Sequence, residues 1–197
     1  MAHDTIPLFP LTTVLFPDGP LPLRVFEPRY LDMISRCMKE DTEFGVVLLL
    51  SGSETGVAST ASVGSRARIL DWYQGSDGIL GITAVGGERF ALGSMSRRPD
   101  GLYIGEVESI EPEPACPLPD EYRSMAPLLE VIINELGKLY EDLDKRYGDA
   151  TWVGHRFAEI LPMSLEQKQQ CLELSDAVER LRMIRPLLRS IRQEVAQ

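Results

Sequence analysis

The sequence predicts an α+β protein with a β-rich first part and a helical last part. Short apolar runs separated by glycine, proline and aspartate turns occupy residues 44–109, a pattern typical of strands in a compact barrel or meander. The segment 111–119 holds four prolines and cannot continue a strand ladder. Beyond it, apolar residues recur at helical spacing. We therefore predict a division into residues 1–115 and residues 116–197.

Prolines punctuate the start of the chain against a background of Leu, Val and Phe. Because proline lacks a backbone donor, we expect short, edge or bulged strands there. Phe16–Gly19 matches a turn, and an extended run follows at Leu21–Val25. Glu27–Pro28 predicts a helix start, since proline is favoured at the first helical position, and the helix is expected to end at about Lys39.

The middle of the chain predicts a set of strands. Phe44–Leu50 is continuously apolar, which indicates a central strand covered on both faces. Residues 51–64 are rich in Ser, Thr, Gly and Ala and predict a mobile loop. Turns, including one at Gly86–Gly87, separate the remaining expected strands. These strands are Ala67–Trp72, Ile79–Val85, Arg89–Met95 and Leu102–Ser109.

Two helices are predicted directly after the prolines. The first carries apolar residues at helical spacing from Leu128 to Leu143, despite Gly137. The second spans Trp152–Leu161, with Asp149 or Thr151 as its N-terminal cap.

Two further helices complete the predicted helical bundle. Ser164 and Gln167 form a capping box, which starts a helix that ends at about Leu174. Another helix begins at Ser175, and Pro186 is expected to kink it or split it in two.

The composition excludes several classes of partner. The 197 residues carry a formal net charge of −10 and a pI near 4.7, whereas nucleic-acid affinity comes largely from Lys and Arg. We expect no DNA and no membrane surface as partners, and RNA is disfavoured. No apolar run approaches the roughly 18 residues of a membrane span, and no signal segment is recognised. Three separated cysteines fit a reducing compartment, so we expect a cytoplasmic protein.

Motifs for catalysis are missing from the sequence. Its two histidines, His3 and His155, belong to neither an HExxH nor a GxSxG arrangement. No GxxxxGK(S/T) loop occurs, and the glycines of residues 52–56 and 75–81 are better explained as turns. Acidic clusters on predicted helix faces and ends are expected to be solvated surface. We therefore predict no enzyme activity, no metal and no cofactor.

Five arginines lie on the last predicted helix. A phosphate-binding stripe is one interpretation of them. Because the surrounding sequence is net acidic, pairing with nearby carboxylates is the stronger interpretation. The five are Arg180, Arg182, Arg185, Arg189 and Arg192.

The corner between the extended run and the first helix is rich in charged and aromatic side chains. Glu27 is expected to form an ion-pair cluster with Arg24 and Arg29 that fixes this corner, and contact with a ligand is the alternative. Four aromatic side chains are expected to be mostly core, namely Phe9, Phe16, Phe26 and Tyr30.

Several sequence blocks occur in a recognisable order. They are IPLFPL at 6–11, VLFPDG at 14–19, LPLRVFEPRY at 21–30, FGVV at 44–47 and GGERF at 86–90. This series closely resembles the N-terminal, substrate-binding domain of the Lon protease family, and the likeness covers nearly the whole chain. The resemblance implies a PUA-like β-barrel followed by a helical bundle, and a role in recognising unfolded or tagged polypeptides.

The resemblance also implies candidate substrate-binding residues and a cellular role. A full Lon protease continues into an ATPase module and a Ser-Lys protease domain, whereas this sequence ends at Gln197, so we expect a stand-alone version. Such a protein would assist protein quality control or proteolysis alongside a separate protease or chaperone. The candidate residues are Arg24, Phe26, Glu27, Arg29, Tyr30, Arg89 and Phe90.

Two functions from different classes are therefore compared. The first is polypeptide binding, on exposed apolar surface between barrel and bundle or along an open strand edge. The alternative is nucleic-acid or small-ligand binding, since PUA-like barrels include RNA binders, and the acidic composition argues against it. An unrecognised hydrolase has no supporting constellation. No client and no oligomeric state follow from the sequence.

Overall fold

The computed structural model describes residues 4–51 and 59–195, with side chains up to residue 188. The chain divides into two compact units, Met1–Pro112 and Glu113–Gln197. The turn predicted at 52–56 and the residue His3 lie outside the described residues, as do the side chains of Arg189 and Arg192.

The first unit opens with two proline-rich strands and a helix. These are β1 Asp4–Leu11, β2 Pro20–Val25 and α1 Pro28–Glu40. Pro28 occupies the start of α1, where a backbone N–H has no helical partner to bond. Asp41 ends the helix in the left-handed conformation, with φ of 51°. The predicted helix start is confirmed.

Four further strands complete the described part of the first unit. They are β3 Phe44–Ser51, β4 Ser59–Gln74, β5 Leu80–Arg97 and β6 Tyr103–Ser109. The loop predicted over 51–64 is wrong from Ser59 onward, and the turn predicted at Gly86–Gly87 is wrong because β5 runs through both glycines. Close packing of strands explains such glycines: a Cβ at Gly64 would lie 2.5 Å from the carbonyl oxygen of Val46.

The six strands form one sheet in the order β2-β5-β4-β3-β1-β6, in which β5 also pairs with β6. β1 and β3 pair in parallel, and the other pairs are antiparallel. The pairings thus run in a closed circuit through every strand except β2. The α+β class is confirmed, while the PUA-like topology stays a prediction. Two apolar clusters fill the unit, one around Phe9, Ile34 and Phe44 and the other around Leu8 and Phe90.

Four helices build the second unit. They are α2 Met125–Leu136, α3 Ala150–Ile160, α4 Leu165–Glu173 and α5 Ala177–Val195. The helix predicted as far as Leu143 is wrong at its end, because Gly137, with φ of 68°, closes α2. A short 3₁₀ turn, Gly137–Tyr140, follows it. α5 runs through Pro186 as one helix, so the predicted split does not occur.

The predicted caps of the second unit are present. The carboxylate of Asp149 accepts the N–H of Thr151 at 3.0 Å and begins α3. Ser164 and Gln167 exchange hydrogen bonds in a capping box that begins α4.

The proline-rich segment, which the sequence predicts to divide the two parts of the chain, is held in place by hydrogen bonds. The carbonyl oxygen of Cys116 accepts the N–H of Ala150 at 2.8 Å, and the N–H of Leu118 donates to Gly148 at 2.8 Å. The side chain of Glu113 is only 4% exposed because it pairs with a buried arginine. The segment from Glu113 onward is therefore part of the second unit.

Candidate functional site

Three of the seven sequence-predicted site residues have buried side chains. Phe90 is fully buried in the apolar cluster that includes Leu8, and Arg89 is 4% exposed. Tyr30 is 5% exposed and stacks on Phe9, with ring centroids 3.9 Å apart. Burial raises the pKa of the Tyr30 phenol, and the nearby Arg29 guanidinium opposes this shift. These three side chains support the interior of the first unit.

Glu27 and Arg29 form one half of the predicted ion-pair cluster. Their side chains meet at 2.5 Å, between Arg29 Nη2 and Glu27 Oε2. The Arg29 guanidinium also lies 4.8 Å from the centre of the Tyr30 ring, and its Nη1 donates to the carbonyl oxygen of Gly101 at 3.2 Å. This pair anchors the start of α1 to the turn before β6.

Arg24 does not join that pair, so the predicted three-residue cluster is wrong in this respect. Its guanidinium bonds instead to Asp77, in the turn between β4 and β5. The N–H of Ile79 donates to the Asp77 carboxylate at 3.1 Å and, with Arg24, lowers the pKa of Asp77. Arg24 and Asp77 line an open cavity of about 420 Å³ beside Tyr73 and Gly81.

Phe26 is exposed, which contradicts its predicted place in the core. Its side chain is 68% exposed, whereas the preceding Val25 is 2% exposed. Successive side chains of an extended segment point to opposite sides, so Val25 takes the inward position and leaves Phe26 outside. Phe26 is thus the predicted site residue with the largest accessible apolar surface.

An exposed apolar strip on β4 is not among the site residues predicted from the sequence. β3 pairs with β4 only as far as Phe44 opposite Ala67, and among the described residues no strand pairs with residues 68–74 on that side. This stretch, which we call the hairpin edge, carries three large exposed side chains. Leu70 is 47%, Trp72 56% and Tyr73 54% exposed.

The register of the sheet places apolar groups on both faces of the hairpin edge. Trp72 lies opposite Ile82, a buried core residue of β5. Tyr73 lies opposite Gly81, and its ring covers the space that a Cβ of Gly81 would fill. Adjacent strand residues point to opposite faces, so Trp72 and Tyr73 flank the free edge from either side.

A signal for this strip exists in the sequence. Trp72 and Tyr73 are adjacent in a strand, and a strand with one buried face cannot bury two successive aromatic side chains. Only Gln74 separates them from the turn at Gly75–Gly78, where the strand pair ends.

Two other classes of site are not found within residues 4–51 and 59–195. No three His, Cys, Asp or Glu side chains converge there in a way that could hold a metal ion. No helix in the same ranges combines the length and the apolar character needed to cross a membrane.

Comparison with known proteins decides the family. Residues 5–190 match the family model described as the ATP-dependent protease La (LON) substrate-binding domain. This chain belongs to that Lon family. The resemblance of its opening blocks is thereby confirmed. A crystal structure of a Lon N-terminal domain protein from Xanthomonas campestris is similar, with a TM-score of 0.76 and 36% identity over 91% of this chain and 95% of that one.

More distant relatives share the Lon fold or parts of the sequence. The N-terminal domain of the Mycobacterium avium complex Lon protease has a TM-score of 0.63 and 17% identity, over 93% of this chain and 97% of that one. Lon proteases of Erwinia amylovora and Escherichia coli are each 26% identical over 94% of this chain and 24% of their own length. Cereblon of Danio rerio is 31% identical over 58% of this chain and 28% of its own length. The chain thus spans about a quarter of the length of these curated relatives.

Proposed function

We propose that this protein is a non-catalytic module that binds polypeptides, and that the hairpin edge is its binding surface. The observation that carries the proposal is the exposure of Leu70, Trp72 and Tyr73 on a strand edge without a partner strand among the described residues. The family's description as a substrate-binding domain supports it. The candidate residue Phe26 offers further apolar surface.

The hairpin edge has the chemistry that an extended chain needs. An open strand edge offers backbone N–H and C=O groups, so a bound segment can complete the ladder. The flanking aromatic groups supply affinity, because covering about 100 Å² of an exposed aromatic side chain is worth roughly 2–3 kcal/mol. Unfolded polypeptides present both backbone groups and apolar side chains, whereas folded proteins bury them.

The proposed clients are unfolded or tagged polypeptides, and binding would serve protein quality control. Two of the curated relatives are named Lon protease, which supports a link to proteolysis. On this proposal the protein captures a client, and a separate protease or chaperone acts on it.

Titration with an unfolded client tests the proposal. The probe is a reduced and alkylated globular protein that carries a fluorescent label, and the readout is fluorescence anisotropy. We expect the variant with Leu70→Thr and Trp72→Thr to bind at least about tenfold more weakly, a loss of about 1.4 kcal/mol. The control is Val131→Ala, which removes another side chain that is 55% exposed, on α2. Equal affinity of the edge variant and the control would contradict the proposal.

A further inference from the structure

An arginine-lined cavity lies beside the beginning of the hairpin edge. It has a volume of about 620 Å³, and its walls come from α1 and the loop after it, β1, β4, the turn after β5 and β6. Four arginines from three of these regions line it, namely Arg36, Arg66, Arg68 and Arg98. Arg68 is also the first residue of the hairpin edge. Cavity and edge are therefore continuous.

The arginines of the cavity differ in their pairing. Arg66 holds Asp4 at 2.9 Å and Glu43 at 3.9 Å. Within the described part of the chain, no carboxylate forms an ion pair with Arg36, Arg68 or Arg98.

The formal charge of the cavity lining is balanced, whereas the chain as a whole is strongly acidic. Four carboxylates line the cavity beside the four arginines, whereas the chain has a net charge of −10. The carboxylates are Asp4, Glu40, Asp41 and Glu43. Burial raises the pKa of the Cys37 thiol, which also lines the cavity, so the thiol adds no negative charge at neutral pH.

The direction of β4 determines which end of a bound strand would reach the cavity. β3 occupies the same side of β4 in antiparallel register, starting with Phe44 opposite Ala67. A strand that continues this line along residues 68–74 runs from Gln74 toward Arg68. It cannot extend past Arg68, because β3 already fills the next place in the ladder. An added antiparallel strand must therefore end or turn away there.

We propose that the hairpin edge binds the C-terminal segment of a polypeptide as an added antiparallel strand, with the terminal carboxylate held by Arg68 in the arginine-lined cavity. This inference rests on the proposed polypeptide binding and adds its direction and its substrate class. A charge-assisted hydrogen bond from a guanidinium to a carboxylate is among the stronger polar contacts, so the chain end adds affinity that an internal segment lacks.

Two matched peptides test this inference. Each has seven residues of alternating valine and threonine with a leucine at the end, and each carries a fluorescent label on its N-terminus. One ends in a free carboxylate and the other in a carboxamide. Anisotropy titrations should show that the carboxylate peptide binds at least about tenfold more tightly, which corresponds to about 1.4 kcal/mol.

Variants of the full chain test whether the cavity arginines cause the preference for the carboxylate peptide. Arg68→Gln is expected to weaken binding of the carboxylate peptide to the level of the carboxamide peptide, with little change for the latter. Lys39→Gln removes a positive charge from α1 outside the cavity lining and should keep the tenfold preference. If Arg68→Gln does not fold, as judged by circular dichroism, Arg98→Gln takes its place and should reduce the preference at least about threefold.

The outcomes separate this inference from the proposed function. Equal binding of both peptides to the unmodified protein would overturn the carboxylate site and leave polypeptide binding at the hairpin edge in place. A tenfold preference that persists in Arg68→Gln, or in Arg98→Gln where that variant takes its place, would also overturn it. If neither peptide nor the unfolded client binds, the proposed function itself fails.

Discussion

The hairpin edge of the first unit and the interior of the second unit depart from the usual distribution of side chains in opposite ways. The hairpin edge exposes Leu70, Trp72 and Tyr73, which are apolar or aromatic. The second unit buries charge: Arg156 and Arg180 have no exposed surface. The difference lies in the partners. The buried charges have partners within their own unit, whereas the described strands leave the apolar edge without one, so the edge is the better candidate for a binding surface.

Arg180 shows how completely the second unit accommodates a buried charge. Its Nη1 and Nη2 atoms contact the Glu113 carboxylate at 3.0 and 2.5 Å, and its Nε donates to the carbonyl oxygen of Cys171 at 2.8 Å. His155 Nε2 lies 3.7 Å from Glu113 Oε1. The ion-pair interpretation of the arginines on the last helix is confirmed for Arg180 and for Arg185, which pairs with Glu121 at 3.1 Å.

The largest predicted effect comes from breaking the buried pair. Arg180→Met should lower the free energy of unfolding by about 3–5 kcal/mol, because the Glu113 carboxylate is left buried without its guanidinium. Urea denaturation followed by far-UV circular dichroism measures this loss. A loss below about 1 kcal/mol would mean that the buried charge is not structurally required.

A second variant separates the ion pair from packing. Adding Glu113→Leu to Arg180→Met removes the isolated charge, so the double variant should regain at least about half of the lost stability. If the double variant is instead less stable than Arg180→Met by the full loss caused by Glu113→Leu alone, the Glu113–Arg180 interaction is not the cause of the lost stability.

The next largest predicted effect is a pH dependence of folding stability that arises from a second buried ion pair. Arg156 Nη2 lies 3.0 Å from Glu159 Oε2, and the Tyr140 hydroxyl donates to Glu159 Oε1. Burial raises the pKa of Glu159 above the ordinary 4.5, although Arg156 and Tyr140 oppose the shift. Glu159 therefore holds its proton to higher pH in the folded state than in the unfolded state.

This raised pKa determines how the stability of the folded protein changes with pH. The contribution of Glu159 to stability is complete below about pH 4.5 and falls as the pH rises through its folded pKa, by about 1.4 kcal/mol per unit of difference between the two pKa values. Glutamine does not titrate, so Glu159→Gln lacks this contribution to the pH dependence of stability. The stability of the unmodified protein minus that of Glu159→Gln should decrease as the pH rises above about 4.5 in urea titrations. A constant difference would show that the pKa is not raised.

Local sequence signals predicted the elements well because they depend on near neighbours. The start of α1 follows from Pro28, and the caps of α3 and α4 follow from Asp149 and Ser164. The predicted continuation of α2 past Gly137 is wrong because the apolar spacing continues there, while the backbone of Gly137 adopts a positive φ.

Long-range partners of the charged residues were not predictable from local patterns. Glu113 and Arg180 are separated by 67 positions, and Arg24 meets Asp77 across 53 positions. Little of the hairpin edge is predictable from the sequence. The resemblance to the Lon domain implies a binding role for Phe26, which is exposed but lies outside the hairpin edge, whereas for Trp72 the pattern predicts only a strand. Which segment of β4 lacks a partner strand depends on where β3 begins to pair, and no short motif encodes that.

The smallest predicted effect concerns the stability of the hairpin edge itself. Leu70→Thr and Trp72→Thr together should change the free energy of unfolding by less than about 1 kcal/mol, because both side chains are half-exposed and threonine suits a strand. Urea denaturation of this variant and of Val131→Ala provides the measurement and its control. A loss above about 2 kcal/mol would show that the strip is packed within the fold, and the contrast with the buried ion pairs would disappear. A small loss of stability combined with weaker client binding would assign the exposed aromatic surface to binding. If these side chains had a structural role, their substitution would also lower the free energy of unfolding.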